Sequence, residues 1–203
     1  MSDGPNRFEL PVCDSSPLIT LAAGGGLDTL LLPELPVNIP DMVFYEVTHD
    51  LSLLGAEEVN RWVLDNQLFV RIIPTNTYKE YLVLKESMGD VRFKNRGEIA
   101  ALELMEHYFE RNNFSGAIFL YEDADVERMQ ISDQITKLTT GDFLTEMEKI
   151  GLLPATRKSI LDKAESLGRN VDRQREPRAA NEAGRNSFNA FLADRSHMPR
   201  LKN

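Results

Sequence analysis

Five short apolar runs, Leu10–Cys13, Val37–Pro40, Leu68–Ile73, Ala117–Tyr121 and Ile135–Leu138, alternate along this chain with stretches whose apolar residues recur at helical spacing. Strands that alternate with helices join a parallel sheet through crossover connections, so the pattern predicts an α/β fold, three-layer α/β/α with a parallel central sheet. The punctuation agrees. Ser15-Ser16-Pro17 is a helix-start signal directly after the first run, and Gly24-Gly25-Gly26 stops the helix Leu18–Ala23 that follows. A second piece, Leu27–Leu32, ends at Pro33, and Pro40-Asp41 opens a helix through Glu46. Further helices are predicted over 56–66, with Val59, Trp62 and Val63 inward, and over Thr75–Ser87. Gly97-Glu98 opens a strong one with Ile99, Leu102, Met105 and Phe109 on one stripe. Val126–Gln134, 141–150 and 156–167 complete the set.

Charge divides the chain unevenly. In residues 169–203 eight basic side chains face four acidic ones, a surplus of +4, so the net −9 of the 203 residues leaves −13 on residues 1–168. The reading is therefore a domain over 1–168, followed by a basic, flexible tail over 169–203 with a short C-terminal helix at Ser187–Leu192. Such a tail serves as an arm for RNA phosphates or an acidic partner, or simply as a solubilising extension. An acidic domain needs a metal or the tail to approach a polyanion. Cys13 is the single cysteine, which excludes an intrachain disulfide and fits a reducing cytoplasm. No basic-then-apolar leader and no run of eighteen apolar residues is present, so neither export nor a membrane span is expected.

Acids stand at the edges of the apolar runs: Asp14, Glu46, Glu98 and Asp123, with Asp125 as a possible further one. A parallel sheet delivers groups at its carboxyl ends to one crevice, and Asp14 and Asp123 follow strands directly. Two carboxylates 4 Å apart repel by roughly 4 kcal/mol at an effective dielectric of about 20, so a cluster calls for a cation. Hard oxygen ligands suit Mg²⁺ or Mn²⁺, which activate water for attack on phosphate. Each acid alone has a plainer reading: Asp14 as a helix cap, Glu46 as solvated surface beside His49 and Asp50, Glu98 as a complement to a helix dipole. His49, His107 and His197 lack metal-ligand spacing and read as surface or helix packing.

The blocks Val12-Cys13-Asp14-Ser15-Ser16-Pro17-Leu18-Ile19, Val37-Asn38-Ile39-Pro40 through Glu46, Gly97-Glu98-Ile99-Ala100-Ala101-Leu102, Phe119-Leu120-Tyr121-Glu122-Asp123 and Leu138-Thr139-Thr140-Gly141-Asp142-Phe143-Leu144 resemble, in order and spacing, the toxin-like bacterial branch of the PIN domain family. The resemblance covers about residues 10–155 and includes Gly151-Leu152-Leu153. It implies a Mg²⁺- or Mn²⁺-dependent endoribonuclease, the toxin of a toxin–antitoxin pair, acting on RNA in the cytoplasm as a homodimer and held by an antitoxin protein. It places Asp14, Glu98 and Asp123 as metal ligands, Glu46 as an additional catalytic acid, and Ser16 and Thr140 as hydroxyls that orient substrate or water. The fourth block departs from the family, which often has two Asp followed by an Ala-Arg pair where this chain has Glu122-Asp123-Ala124-Asp125-Val126-Glu127-Arg128. The family's usual Gly-Thr pair stands here as Thr139-Thr140. Those departures sustain an alternative, a catalytically silent PIN-like protein that acts by binding a protein partner.

Overall fold

The computed structural model describes residues 8–89, 95–111, 116–132, 135–176, 178 and 181–193. It is a mixed α/β structure with short, parallel strands: β1 (Phe8–Cys13), β2 (Val37–Pro40), β3 (Val70–Ile73), β4 (Gly116–Tyr121) and β5 (Ile135–Thr139), in the order β3-β2-β1-β4-β5. The chain steps outward from β1 to β3, then returns to the other side of β1 for β4 and β5. The order therefore reverses between β1 and β4, a topological switch point, beyond whose carboxyl ends ligands bind in open α/β sheets. The register there is close, with Cys13 opposite Leu120, and Asp14 N donating to the Leu120 carbonyl at 3.1 Å. On the other side β1 meets β2 through Leu10 and Val37.

Between the strands run α1 (Ser15–Gly24), α2 (Asp41–Thr48), α3 (Ala56–Asp65), α4 (Asn76–Met88), α5 (Arg96–Arg111) and α6 (Ala124–Arg128). After β5 come α7 (Thr140–Lys149), α8 (Arg157–Ser166) and α9 (Glu182–Ala193). The glycine run ends α1 as expected: Gly25, at φ 68°, adopts the left-handed turn that frees its N–H to close on the Ala22 and Leu21 carbonyls. Leu27–Leu31 is a 3₁₀ turn. Val59, Trp62 and Val63 of α3 are buried.

Burial along β4 follows strand parity. Ile118 and Leu120 join a cluster with Leu18 and Leu21 of α1, Phe143 of α7 and Leu161 of α8. Ala117, Phe119 and Tyr121 join a second cluster with Ala101, Leu104 and Met105 of α5. A continuous buried apolar run is what a strand covered on both faces requires.

Several expectations are corrected. Ile99 is 50% exposed; Met105 is buried as expected and Leu102 partly so, but the buried stripe of α5 runs through Ala100, Ala101, Leu104 and Met105, because Ala101, Leu104 and Met105 pack on β4 and Ala100 on Met42 and Tyr81. The side chain of Phe109 lies outside the described residues. Leu68 is 84% exposed and precedes β3, and α6 is the short piece Ala124–Arg128.

The larger correction concerns the tail. Residues 169–176, 178 and 181–193 lie on the domain, whereas 194–203 fall outside the described residues. Phe188 and Leu192 of α9 are buried in the first cluster. Arg173 and Arg178 pair with Glu127, Arg175 with Asp162 and Glu165, and Arg185 with Asp142 and Glu146. Gly184 allows α9 to approach β5 closely, since a Cβ there would sit 2.8 Å from the Lys137 carbonyl. The polar composition that suggested disorder includes arginines that pair with acids of the domain. No helix among the described residues is long and apolar enough to cross a membrane.

Candidate functional site

Asp14 leaves β1 at the switch point and caps α1, its Oδ1 accepting from Ser15 N at 2.6 Å and from Ser15 Oγ at 3.2 Å. The residue is 4% exposed. Burial pushes its carboxyl up to about 7, and the negative charges of Glu98 and Glu122 act in the same direction, while the bonds from Ser15 work against them. Glu46 reaches the same place from α2. Burial, Asp14 and Glu98 push it up to about 7 as well, against hydrogen bonds from the Ser15 hydroxyl and the Gly97 backbone.

Gly97 explains how these two carboxylates come so near the start of α5. A Cβ at that position would stand 2.8 Å from Glu46 Oε2 and 3.4 Å from Asp14 Oδ1. Any other residue would occupy the space that the carboxylates share. Glu98, next in the chain and in the first turn of α5, is raised by burial and by Asp123 and Asp125, against the bond from its own backbone. Three helices thus aim acids at one crevice, and among the described residues no lysine or arginine forms an ion pair with Asp14, Glu46 or Glu98.

The block after β4 divides its duties. Asp123 is exposed and caps α6, accepting from Asp125 N at 2.7 Å, and exposed Asp125 pairs with Arg128 at 3.4 Å. Both stand near enough to Glu98 to raise it. Glu122 instead turns toward α1 and α7, where its side chain is 8% exposed. It accepts from Thr20 Oγ1 at 3.0 Å, Thr140 Oγ1 at 2.6 Å and Arg169 Nη2 at 3.1 Å. Arg169 completes the knot by donating to Thr20 Oγ1 at 2.9 Å and to the Ser16 carbonyl at 3.1 Å. The Thr140 hydroxyl is therefore committed to Glu122, and Ser16 contributes its carbonyl to Arg169.

The structure thus gathers Asp14, Glu46 and Glu98, brings Asp123 and Asp125 to the rim, and sets Thr140 behind the acids. Sequence reasoning missed Ser15, Gly97 and the Glu122–Arg169 pair. Strand parity carried the signal for Glu122: continued past Tyr121, the alternation of Ile118 and Leu120 puts residue 122 on the face of α1 and α7. Nothing local could have found Arg169, which lies 47 residues further on.

Among the described side chains the donors are carboxylate oxygens with one serine hydroxyl beside them, a hard set suited to Mg²⁺ or Mn²⁺. Two acids held near 7 by burial and mutual charge lack a compensating cation of the protein's own. As they stand, no three described His, Cys, Asp or Glu side chains are grouped closely enough to hold an ion, so Glu98 and the rim acids would have to turn inward to complete a site. No protein-family model, no curated protein and no solved structure matches this chain.

Proposed function

We propose that the chain is a Mg²⁺- or Mn²⁺-dependent endoribonuclease of PIN type, the toxin of a toxin–antitoxin pair, working in the cytoplasm. The observation that carries this reading is the convergence of buried Asp14 with Glu46 and Glu98 at the switch point of a parallel sheet, with no basic partner among the described residues. The two clusters on either side of β4 support a three-layer arrangement of the same type. Asp14, Glu98 and Asp123 would hold the ion, which when bound supplies activated water and stabilises the leaving oxygen. Glu46, titrating close to neutrality, is suited to exchange a proton with the reacting groups. Ser15 orients Asp14 and Glu46. Glu122, fixed by Arg169 and two threonines, keeps β4, α1 and α7 in register behind them. The partners implied are an RNA substrate, an antitoxin protein and a second copy of the chain.

A second reading, a silent PIN-like protein that binds a protein partner, is favoured by one observation: the acids do not form a metal group as they stand. Calorimetric titration of Mn²⁺ and Mg²⁺ into wild type and Asp14→Asn, beside cleavage of structured and single-stranded RNA, separates the two. Ion binding and cleavage that both vanish in Asp14→Asn support the nuclease. Absence of ion binding by the wild type refutes it and leaves the partner-binding protein.

A further inference from the structure

One face of α4 holds it to the domain. Tyr78 and Tyr81 turn toward α2, where their rings meet Tyr45 at 5.4 and 5.3 Å, centroid to centroid, and Tyr81 is the buried residue of the helix. The opposite face points to solvent and reads Lys79-x-x-Leu82-Val83-x-x-Glu86. With about 3.6 residues per turn, Lys79 and Glu86 fall on one line along the helix, and Leu82 and Val83 stand on either side of that line midway between them. Leu82 is 45% exposed and Val83 65%, and Lys79 and Glu86 are exposed as well.

A lone helix gives this pattern nothing to work with. Residues seven apart are separated by a rise of about 10 Å, too far to pair, and neither charge has an opposite one three or four residues away. Among the described residues no hydrogen bond or ion pair takes the side chain of Lys79 or Glu86. Lys79 acts on Glu103 through space, but that carboxylate already accepts from Asn76 N, Thr77 N and the Thr77 hydroxyl. Lys79 also lies toward the N-terminal end of α4 and Glu86 toward the C-terminal end, each at the end of the helix dipole that disfavours its charge.

An antiparallel second copy answers each of these points. A two-fold axis midway between Leu82 and Val83 sets position 79 of one chain against position 86 of the other, so two Lys79–Glu86 pairs form at once. The Leu82-Val83 steps of the two chains meet between those pairs. Glu86 of the second copy then lies beside the N-terminal turns of α4 and its Lys79 beside the C-terminal turns, where the dipole favours them. A hollow of about 440 Å³ lined by Lys79, Glu80, Val83 and Leu84 lies on the same side of the helix and can take Val83 of the second copy as a knob. We infer that α4 is the interface of a homodimer, packed antiparallel on its own copy through Lys79, Leu82, Val83 and Glu86. A different protein would have to present the same charges in reverse order, which this chain supplies by symmetry. The inference rests on one helix and stands apart from the nuclease reading. A contact one helix wide is at the small end of interface sizes, so the dimer dissociates on dilution.

Sedimentation equilibrium of the full chain from about 10 μM to about 1 mM tests the interface, with far-ultraviolet circular dichroism to check the fold of each variant. Wild type should pass from monomer to dimer over that range. Val83→Glu sets two carboxylates at the axis and should leave the chain monomeric, and because the position is exposed no core contact is lost. Lys79→Glu and Glu86→Lys should each raise the dimer Kd roughly 4- to 100-fold, since each turns both pairs from attraction to repulsion. An equimolar mixture of those two variants should associate about as tightly as wild type, because every 79–86 contact between unlike chains then joins opposite charges. A wild type that stays monomeric throughout overturns the inference, as does a dimer indifferent to Val83→Glu or a mixture that associates no more tightly than either variant alone. A wild type that dimerises through these residues yet binds no Mn²⁺ and cleaves no RNA overturns the nuclease and leaves the interface standing.

Discussion

Replacing Asp14 with Asn should stabilise the metal-free protein, and the size of the gain should depend on pH. A carboxyl that titrates at about 7 in the fold, against an ordinary 3.8, binds its proton more tightly folded than unfolded. Between those values the folded state carries the extra proton, so stability falls as pH rises through the window and is flat above it. One proton changes stability by about 1.4 kcal/mol per pH unit, and the full interval corresponds to about 4 kcal/mol for this buried group. Glu46 acts in the same direction. The amide keeps the cap on α1, since Asn serves at that position as well as Asp. In EDTA, Asp14→Asn should therefore exceed wild type by only about 1 kcal/mol at pH 4.5 and by up to about 4 kcal/mol at pH 7.5, the latter roughly 8–16 °C in Tm for a chain of this size. Thermal and urea unfolding across pH 4.5–8 provide the measurement. Mn²⁺ should close the gap at pH 7.5 by restoring the wild type alone. A difference between the two proteins that does not change with pH would refute the account of crowded, buried carboxylates.

Arg169→Met leaves Glu122 buried with its threonine donors only and should cost about 3 kcal/mol, seen as a Tm lower by roughly 6–12 °C; adding Glu122→Gln should recover part of the loss, and strict additivity would argue against the pair. Gly97→Ala puts a methyl group 2.8 Å from Glu46 Oε2. Helix propensity gains about 1 kcal/mol, so the fold should persist while Mn²⁺ affinity by calorimetry drops about 10- to 100-fold; unchanged affinity would remove Glu46 from the site. Phe188→Ala should cost about 3–5 kcal/mol in urea unfolding, because the ring is buried between α7 and α9; a cost near zero would mean that α9 does not hold to the domain in solution.

Much of the site was legible because its signals are local. Asp14 ends an apolar run and begins a helix, and Glu98 opens a long amphipathic segment, so their placement at element ends followed from spacing. The block Glu122-Asp123-Ala124-Asp125 was legible as acidic but not as divided, because three neighbouring acids look alike until strand parity and a distant arginine separate them. Residues 169–193 misled for a similar reason. Their few apolar residues, Phe188 and Leu192 among them, look insufficient for folding until the acids that receive the arginines are in place.

What the sequence determined by itself was the alternation of strands and helices, the parallel sense of the sheet and the ends at which the acids stand, since these follow from periodicities of two and 3.6 residues and from capping chemistry. Only the tertiary structure decided that β4 returns beside β1, which sets Asp14 and the Glu122–Asp125 block at one switch point. It also decided that Gly97 admits Glu46 and Asp14 to a shared space, that Arg169 closes on Glu122, and that Tyr45, Tyr78 and Tyr81 meet. Each of these is a contact between segments distant in sequence, fixed by close packing and by the need to match buried charge, and neither constraint is written in any single stretch of the chain.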